Sequence, residues 1–320
     1  MKRILIIAAA TLAALFVMAN VVLWNQARAS LRFSGTAPKS GKLENLTLGN
    51  KLMILFSGPN NPKPEGSKTP GDFGLKYETQ TISETNGIRL ASWYCPAEKT
   101  DVLVLMFHGY AMEKSSLLRE AQTFHSLGLP VAMIDFRGSG DSSESYTTIG
   151  YFEAEDVREA FRFYRKKFPF AKIVLFGQSM GAASILRAVS ALEVKPDLIV
   201  LEAVFDAMLG TIKNRFRILG LPSFPFAQLL VFWGGKQFGF NAFENNPVDY
   251  AQKVSCPALL FHGDHDNRAL LADSKRVLAA IPGERKKLVI FAGVAHESYV
   301  VHDRDLWVSA VRDALKAISR

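Results

Sequence analysis

The pentapeptide Gly177-Gln178-Ser179-Met180-Gly181 has the strongest claim to chemistry anywhere in the chain. It follows an apolar run ending at Phe176 and opens a segment of helical character that begins with the small residues Ala182 and Ala183. A serine between two glycines at this spacing is the pattern of a nucleophile elbow, a tight strand-to-helix turn that projects the serine hydroxyl. Side chains two residues to either side would collide in such a turn, so Gly177 and Gly181 are what it requires. A hydroxyl is a weak nucleophile until a base takes its proton, and the base is ordinarily a histidine oriented by a carboxylate. Six histidines compete: His108, His125, His262, His265, His296 and His302. His262 falls inside a strand-like run and reads as structural. Candidate acids downstream of the serine are Glu202, Asp206, Asp264 and Asp266, the last two within Phe261-His262-Gly263-Asp264-His265-Asp266. Asp264 is equally suited to capping a turn. The same cluster contains metal-ligand residue types, but a serine, base and acid account for it without a metal, and neither metal nor cofactor is expected.

Such a set needs a frame that brings distant residues to one edge. From about Lys76, short β-rich runs alternate with helical patterns. Runs at 88–94, 102–107, 131–135, 172–176, 198–201, 258–262 and 287–291 read as strands. Segments at 115–127, 151–168, 179–190, 273–280 and from Arg304 onward read as helices. In 151–168, Ala154, Val157, Phe161, Tyr164 and Phe168 make one apolar stripe, with acids early and bases late to suit the helix dipole. The alternation predicts an α/β protein with a mainly parallel sheet covered on both faces. His296 lies just past the last strand, where a loop can reach back over the sheet edge to the serine.

From about Phe73 to the C-terminus the chain resembles the α/β-hydrolase superfamily, and within it the monoacylglycerol-lipase-like, membrane-associated serine hydrolases. The resemblance is carried by Phe73-Gly74-Leu75-Lys76-Tyr77-Glu78 with Trp93-Tyr94-Cys95-Pro96, by His108-Gly109, by Asp135-Phe136-Arg137-Gly138-Ser139-Gly140, by the serine elbow, by His262-Gly263-Asp264-His265-Asp266 and by the His296 loop. It implies an eight-stranded, mainly parallel sheet flanked by helices, and the chain order serine, acid, histidine. That order sets aside His108 and His125 and makes His296 the base. The acid four residues after the histidine of the HGxxD pattern is Asp266. The oxyanion donors would be the backbone N–H groups of Met180 and Tyr110, and 135–140 would be a structural turn. Residues 203–250 correspond to a cap, here rich in rings, with Phe232 and Trp233 expected to border an apolar acyl chain. Arg215, Arg217 and Lys236 are candidates to hold a lysolipid phosphate or carboxylate and are otherwise expected to be solvated. In the family's strand order the two cysteines, Cys95 and Cys256, lie about 24 Å apart, too far for a disulfide, so free thiols are expected.

The chain of 320 residues is 48% hydrophobic with a net charge of +8. No run of basic residues exceeds three and no nucleic-acid module is present, so the charge is read as a solvated surface. Ile4 to Trp24 is a nearly unbroken apolar stretch behind Lys2 and Arg3, covering about 31 Å as a helix, enough for a bilayer core. The organisation expected is a signal anchor or signal peptide at 1–29, a linker at 30–74 and the hydrolase domain at 75–320. The catalytic domain is expected on the outer side of a membrane; cleavage after Ala29 would instead export a soluble enzyme. The function expected is a serine hydrolase that cleaves a carboxylic ester or related acyl bond of a small molecule through an acyl-enzyme. Thioesterase, peptidase and acyltransferase use the same triad, and a silent binding protein would have no need of all three residues.

Overall fold

A computed structural model of the chain describes residues 1–34, 47–58, 60–83, 86–98 and 101–318. Eight strands form one sheet: β1 (Glu78–Ser83), β2 (Arg89–Cys95), β3 (Val102–Phe107), β4 (Val131–Ile134), β5 (Lys172–Gln178), β6 (Leu198–Glu202), β7 (Ala258–Gly263) and β8 (Lys286–Phe291). Their spatial order is β1-β2-β4-β3-β5-β6-β7-β8. β2 is antiparallel to both its neighbours, and every pairing from β4 to β8 is parallel. The helices are α1 (Lys2–Leu31), α2 (Leu48–Ser57), α3 (Leu118–Ser126), α4 (Glu153–Lys167), α5 (Met180–Ala191), α6 (Met208–Ile218), α7 (Phe226–Phe238), α8 (Pro247–Ala251), α9 (Leu271–Ala280), α10 (Tyr299–His302) and α11 (Arg304–Lys316).

The period-two alternation of a strand explains the two cores. Along β3, Leu103, Leu105 and Phe107 face one core with residues of α4, α5 and α9. Val102, Val104 and Met106 face the other, with residues of α3 and α11. Because both faces are covered, β3 is buried throughout and reads as a continuous apolar run. Cys95 and Cys256 are free thiols, as expected, and burial raises them to about 12 and about 11.

The N-terminal region is built into the domain more firmly than a tether would be. α1 has the length and composition to cross a membrane, and its N-terminal part stands clear of the protein. Its C-terminal part does not: Leu23, Ala27 and Leu31 are buried. Trp24 meets Trp233 of α7 edge-to-face at 5.2 Å, and the Trp233 indole N–H donates to Asn20 Oδ1 at 3.0 Å. Parts of the stretch expected to be a linker, 30–74, pack on the domain; 35–46 and Pro59 lie outside the described residues. Phe33 is buried, its N–H donating to the Ser145 carbonyl, and Lys63 Nζ donates to the Ser142 carbonyl at 2.5 Å. The cause is local composition: Leu31 and Phe33 carry apolar surface onto the domain, and Asn61 Nδ2 ties the chain back to the Ala29 carbonyl.

Between β6 and β7, α6, α7 and α8 form the insertion read as a cap. Met208, Ile212, Ala227, Val231 and Ala242 make its own small core. Its rings are largely taken up by other parts of the chain. Trp233 packs on α1, Phe238 lies 5.1 Å from Tyr146, and Phe240 stacks on Tyr151 at 4.0 Å. The expectation that Trp233 borders a substrate is therefore corrected: the ring is occupied by the N-terminal helix, a partner that no local pattern reveals. Phe232 faces outward.

Candidate active site

Ser179 stands between β5 and α5 with φ 51° and ψ −105°, a conformation rare for a residue with a Cβ. The two glycines make it possible. A Cβ on Gly177 would come within 2.6 Å of Gly181 C, and one on Gly181 within 2.3 Å of the Phe107 carbonyl oxygen. The elbow is pinned from beneath by Ser179 N–H, which donates to the Glu202 carbonyl at 2.8 Å. Strain of this kind persists only where the surroundings over-determine it, and it concentrates at functional sites.

His296 Nδ1 and Asp266 Oδ2 are 2.6 Å apart. Asp266 is 4% exposed, and its other oxygen, Oδ1, accepts the backbone N–H groups of Arg268 and Ala269. The two loops that supply the pair are locked together. A Cβ on Gly263 would stand 2.2 Å from the Val294 carbonyl oxygen, and His265 N–H donates to the same carbonyl. The His296 loop is also tied to α3. Ser298, two residues beyond the histidine, donates to Glu120 Oε1, and Glu120 neighbours Glu202, which accepts Nε2 of Gln178 beside the serine.

The other candidates have different partners. Asp264 Oδ1 accepts from Gly293 N–H at 2.7 Å and joins the ends of β7 and β8. Asp206 binds Arg276 at 2.5 Å. His262 is buried between the Ser274 hydroxyl and the Ala269 carbonyl, and burial lowers its pKa. His108 accepts Phe136 N–H at Nε2, so its Nδ1–H donates to the Gly109 carbonyl. Burial holds it neutral, with a pKa lowered to about 4. His302 faces Glu297 at 3.1 Å. Among the described residues no cluster of three or more histidines, cysteines and carboxylates is spaced to hold a metal ion.

Gly109 brings the loop after β3 against the elbow, with a Cβ there falling 3.8 Å from Ser179 Cβ. Tyr110 follows, and its hydroxyl donates to the Ser30 carbonyl at the end of α1 at 2.6 Å. The Arg215 guanidinium of α6 lies 5.3 Å above the same ring. The loop 135–140 is a buried ionic turn. Asp135 takes Lys114 Nζ at 2.6 Å, and Arg137 holds Asp156 of α4 at 2.5 Å.

Sequence reasoning missed the carboxyl pair beneath the elbow. Glu202, weighed above only as an alternative acid, receives the Trp307 indole N–H at 2.8 Å and Gln178 Nε2 at 3.0 Å. Burial, reinforced by the neighbouring Glu120, raises it to about 8, and burial raises Glu120 too. The one signal in the sequence is a glutamate closing the apolar strand Leu198–Glu202.

The fold is found in known proteins. The family described as serine aminopeptidase, S33, matches residues 98–217. Superposition on the esterase Pf2001 of Pyrococcus furiosus gives a TM-score of 0.67 at 23% identity, covering 80% of this chain and 97% of that one. The chain has the α/β-hydrolase fold. Among curated relatives, the uncharacterized protein Rv2307c of Mycobacterium tuberculosis is 26% identical over 82% of this chain and 85% of its own length. The lysophosphatidylserine lipase ABHD12 of Danio rerio is 24% identical over 55% of this chain, which spans 46% of that relative.

Proposed function

We propose that this chain cleaves a carboxylic ester of a lipid-like small molecule through a serine acyl-enzyme. The observation that carries the reading is the positive φ of Ser179 in an elbow that only glycines at 177 and 181 permit. Ser179 Oγ attacks the acyl carbonyl while His296 Nε2 takes its proton. Asp266, hydrogen-bonded to Nδ1, keeps the proton there and stabilises the imidazolium. The tetrahedral oxyanion is held by the backbone N–H groups of Met180, at the positive end of α5, and Tyr110. His296 then gives its proton to the departing alkoxide. Water, activated by the same histidine, releases the acid and restores Ser179.

Ala183 of the elbow helix, Phe205 and Ala269 of the Asp266 loop form a buried apolar cluster with Ile149 packed against it, and we read this as the wall that an acyl chain would meet. Ile149 itself has φ 52°, an outlier for a β-branched residue. The lipase relatives act, by their name, on a lysophospholipid, which favours a monoacyl lipid ester. The serine aminopeptidase description supports a second reading, cleavage of an amide. We read α1 as an uncleaved anchor with Lys2 and Arg3 on the inner side, because cutting after Ala29 would remove a helix that packs on α7. A panel of esters, thioesters and aminoacyl amides, assayed with the full chain and with Ser179→Ala, tests the reaction. Ester turnover lost in the variant is expected; turnover retained, or confined to amides, overturns the ester reading.

A further inference from the structure

The cap and the N-terminal helix fix each other's direction. Trp233 meets Asn20 and Trp24; further along α7, Gln237 Nε2 donates to the Trp24 carbonyl, and the Phe238 ring lies 5.3 Å from the Arg32 guanidinium. Later residues of α7 thus meet later residues of α1, and the two helices run in the same sense. The start of α7 points back toward the apolar end of α1, with Phe226 about 10 Å before Trp233 at the helical rise. The turn that precedes it, between α6 and α7, is therefore on the membrane side of the two tryptophans.

That turn is unusually apolar and unusually bare. Leu219 is 60% exposed, Leu221 52% and Phe224 75%, and Ile218 is exposed beside them. Soluble surfaces scatter such residues singly; a contiguous group marks an interaction site. Lys213 and Arg217, both exposed on α6, stand next to it, as expected where apolar tips pass a layer of anionic headgroups. α2, which is hydrogen-bonded to α1 through Asn25 and Gln26, turns Met53 and Phe56 outward. α6 also reaches the site directly: Asn214 Nδ2 donates to the Asn267 and Arg268 carbonyls of the Asp266 loop, and Arg215 covers Tyr110.

We propose that the α6–α7 turn, residues 218–225, is seated in the same phospholipid surface that α1 enters, so that the cap faces the bilayer and the site takes its ester from the membrane phase. The proposal rests on the readings of α1 as a membrane span and of the site as an ester hydrolase. Continuity decides the occupant. A second protein on this turn would have to share its face with the lipid around α1, whereas one bilayer covers both.

The test uses the full chain, Cys256→Ala, reconstituted in phosphatidylcholine–phosphatidylserine vesicles with an environment-sensitive fluorophore on one introduced cysteine. Phe224→Cys reports the turn and Leu12→Cys the span. Phe170→Cys is the control, because Phe170 is 97% exposed but precedes β5, at the sheet edge opposite the elbow. The Phe224 label is expected to shift to the blue and to be quenched by nitroxide lipids, as at Leu12, while the Phe170 label stays water-like. A water-like Phe224 label overturns the seating, and a water-like Leu12 label shows that the anchor reading has fallen with it. Paired Leu221→Glu and Phe224→Glu changes should raise KM for a vesicle-borne long-chain monoacyl ester about tenfold and alter a soluble acetate ester by less than about twofold. Equal loss on both esters, or no loss on either, contradicts the proposal. Absence of ester turnover in the unaltered chain removes the ester reading alone, since the fluorescence still decides the seating.

Discussion

Replacing Asp266 by asparagine should cost about 10⁴ in kcat, near 5 kcal/mol of transition-state stabilisation, with little change in KM. The magnitude follows from how the carboxylate is held. Oδ1 accepts two backbone N–H groups, from Arg268 and Ala269, and Oδ2 faces His296 Nδ1 at 2.6 Å. An asparagine must turn its carbonyl oxygen to the two N–H donors, which leaves its NH₂ facing Nδ1. Nδ1 must then accept, the imidazole proton moves to Nε2, and the base can no longer take the proton of Ser179. The geometry survives because the amide is isosteric, so the melting temperature should stay within a few degrees. Steady-state kinetics on a short-chain ester, with circular dichroism as the control for folding, measures both. Asp264→Asn is the internal comparison. Its partner is Gly293 N–H, and it should lower kcat by less than about threefold because it does not touch the base. A mild Asp266→Asn beside a severe Asp264→Asn would refute the reasoning.

Glu202, raised from 4.5 to about 8 by burial and the nearby Glu120, binds a proton in the folded chain that the unfolded chain has released. Stability should therefore fall as pH rises through that window, and Glu202→Gln should flatten the dependence of melting temperature on pH between about 5 and 8. Gly181→Ala places a Cβ 2.3 Å from the Phe107 carbonyl oxygen and should destabilise by about 3 kcal/mol or more, seen as a large fall in melting temperature or loss of folded protein. A chain begun at Ser30 loses the Leu23 and Ala27 packing and the Trp24–Trp233 pair, about 3 kcal/mol together, and should melt several degrees below the full chain in the same detergent. Ile149→Phe, filling the apolar cluster read as the acyl wall, should lower kcat/KM for long acyl esters more than for acetate esters; equal effects would place Ile149 away from the acyl chain.

What the sequence discloses depends on how local the cause is. The parallel strands from β3 to β7 show as apolar runs because both faces of the sheet are covered, and the elbow shows because its sterics need two glycines at fixed spacing. β1 escapes because only Ile82 is buried along Glu78–Ser83, leaving a polar segment with no run to recognise. Asp264 and Asp266 are indistinguishable by type, and only the loop's fold aims one at His296 and the other at Gly293. The docking of α1 on α7 joins residues some two hundred positions apart, so Trp233 looks like a pocket ring when its partner is Asn20. Glu120 lies on a short amphipathic helix, where a glutamate normally faces water. Its burial beneath Gln178 depends on Ser298 and Glu202, which the sheet order brings to it.

The central claim is that Ser179 is a nucleophile activated in place. The most direct measurement is reaction of the full chain with a fluorophosphonate, followed by mapping of the modified peptide by mass spectrometry. The account predicts one phosphonylated residue, Ser179, with labelling slowed strongly by His296→Ala and by Asp266→Asn and abolished by Ser179→Ala. Labelling at another serine, or at Ser179 with equal speed in all backgrounds, would contradict it.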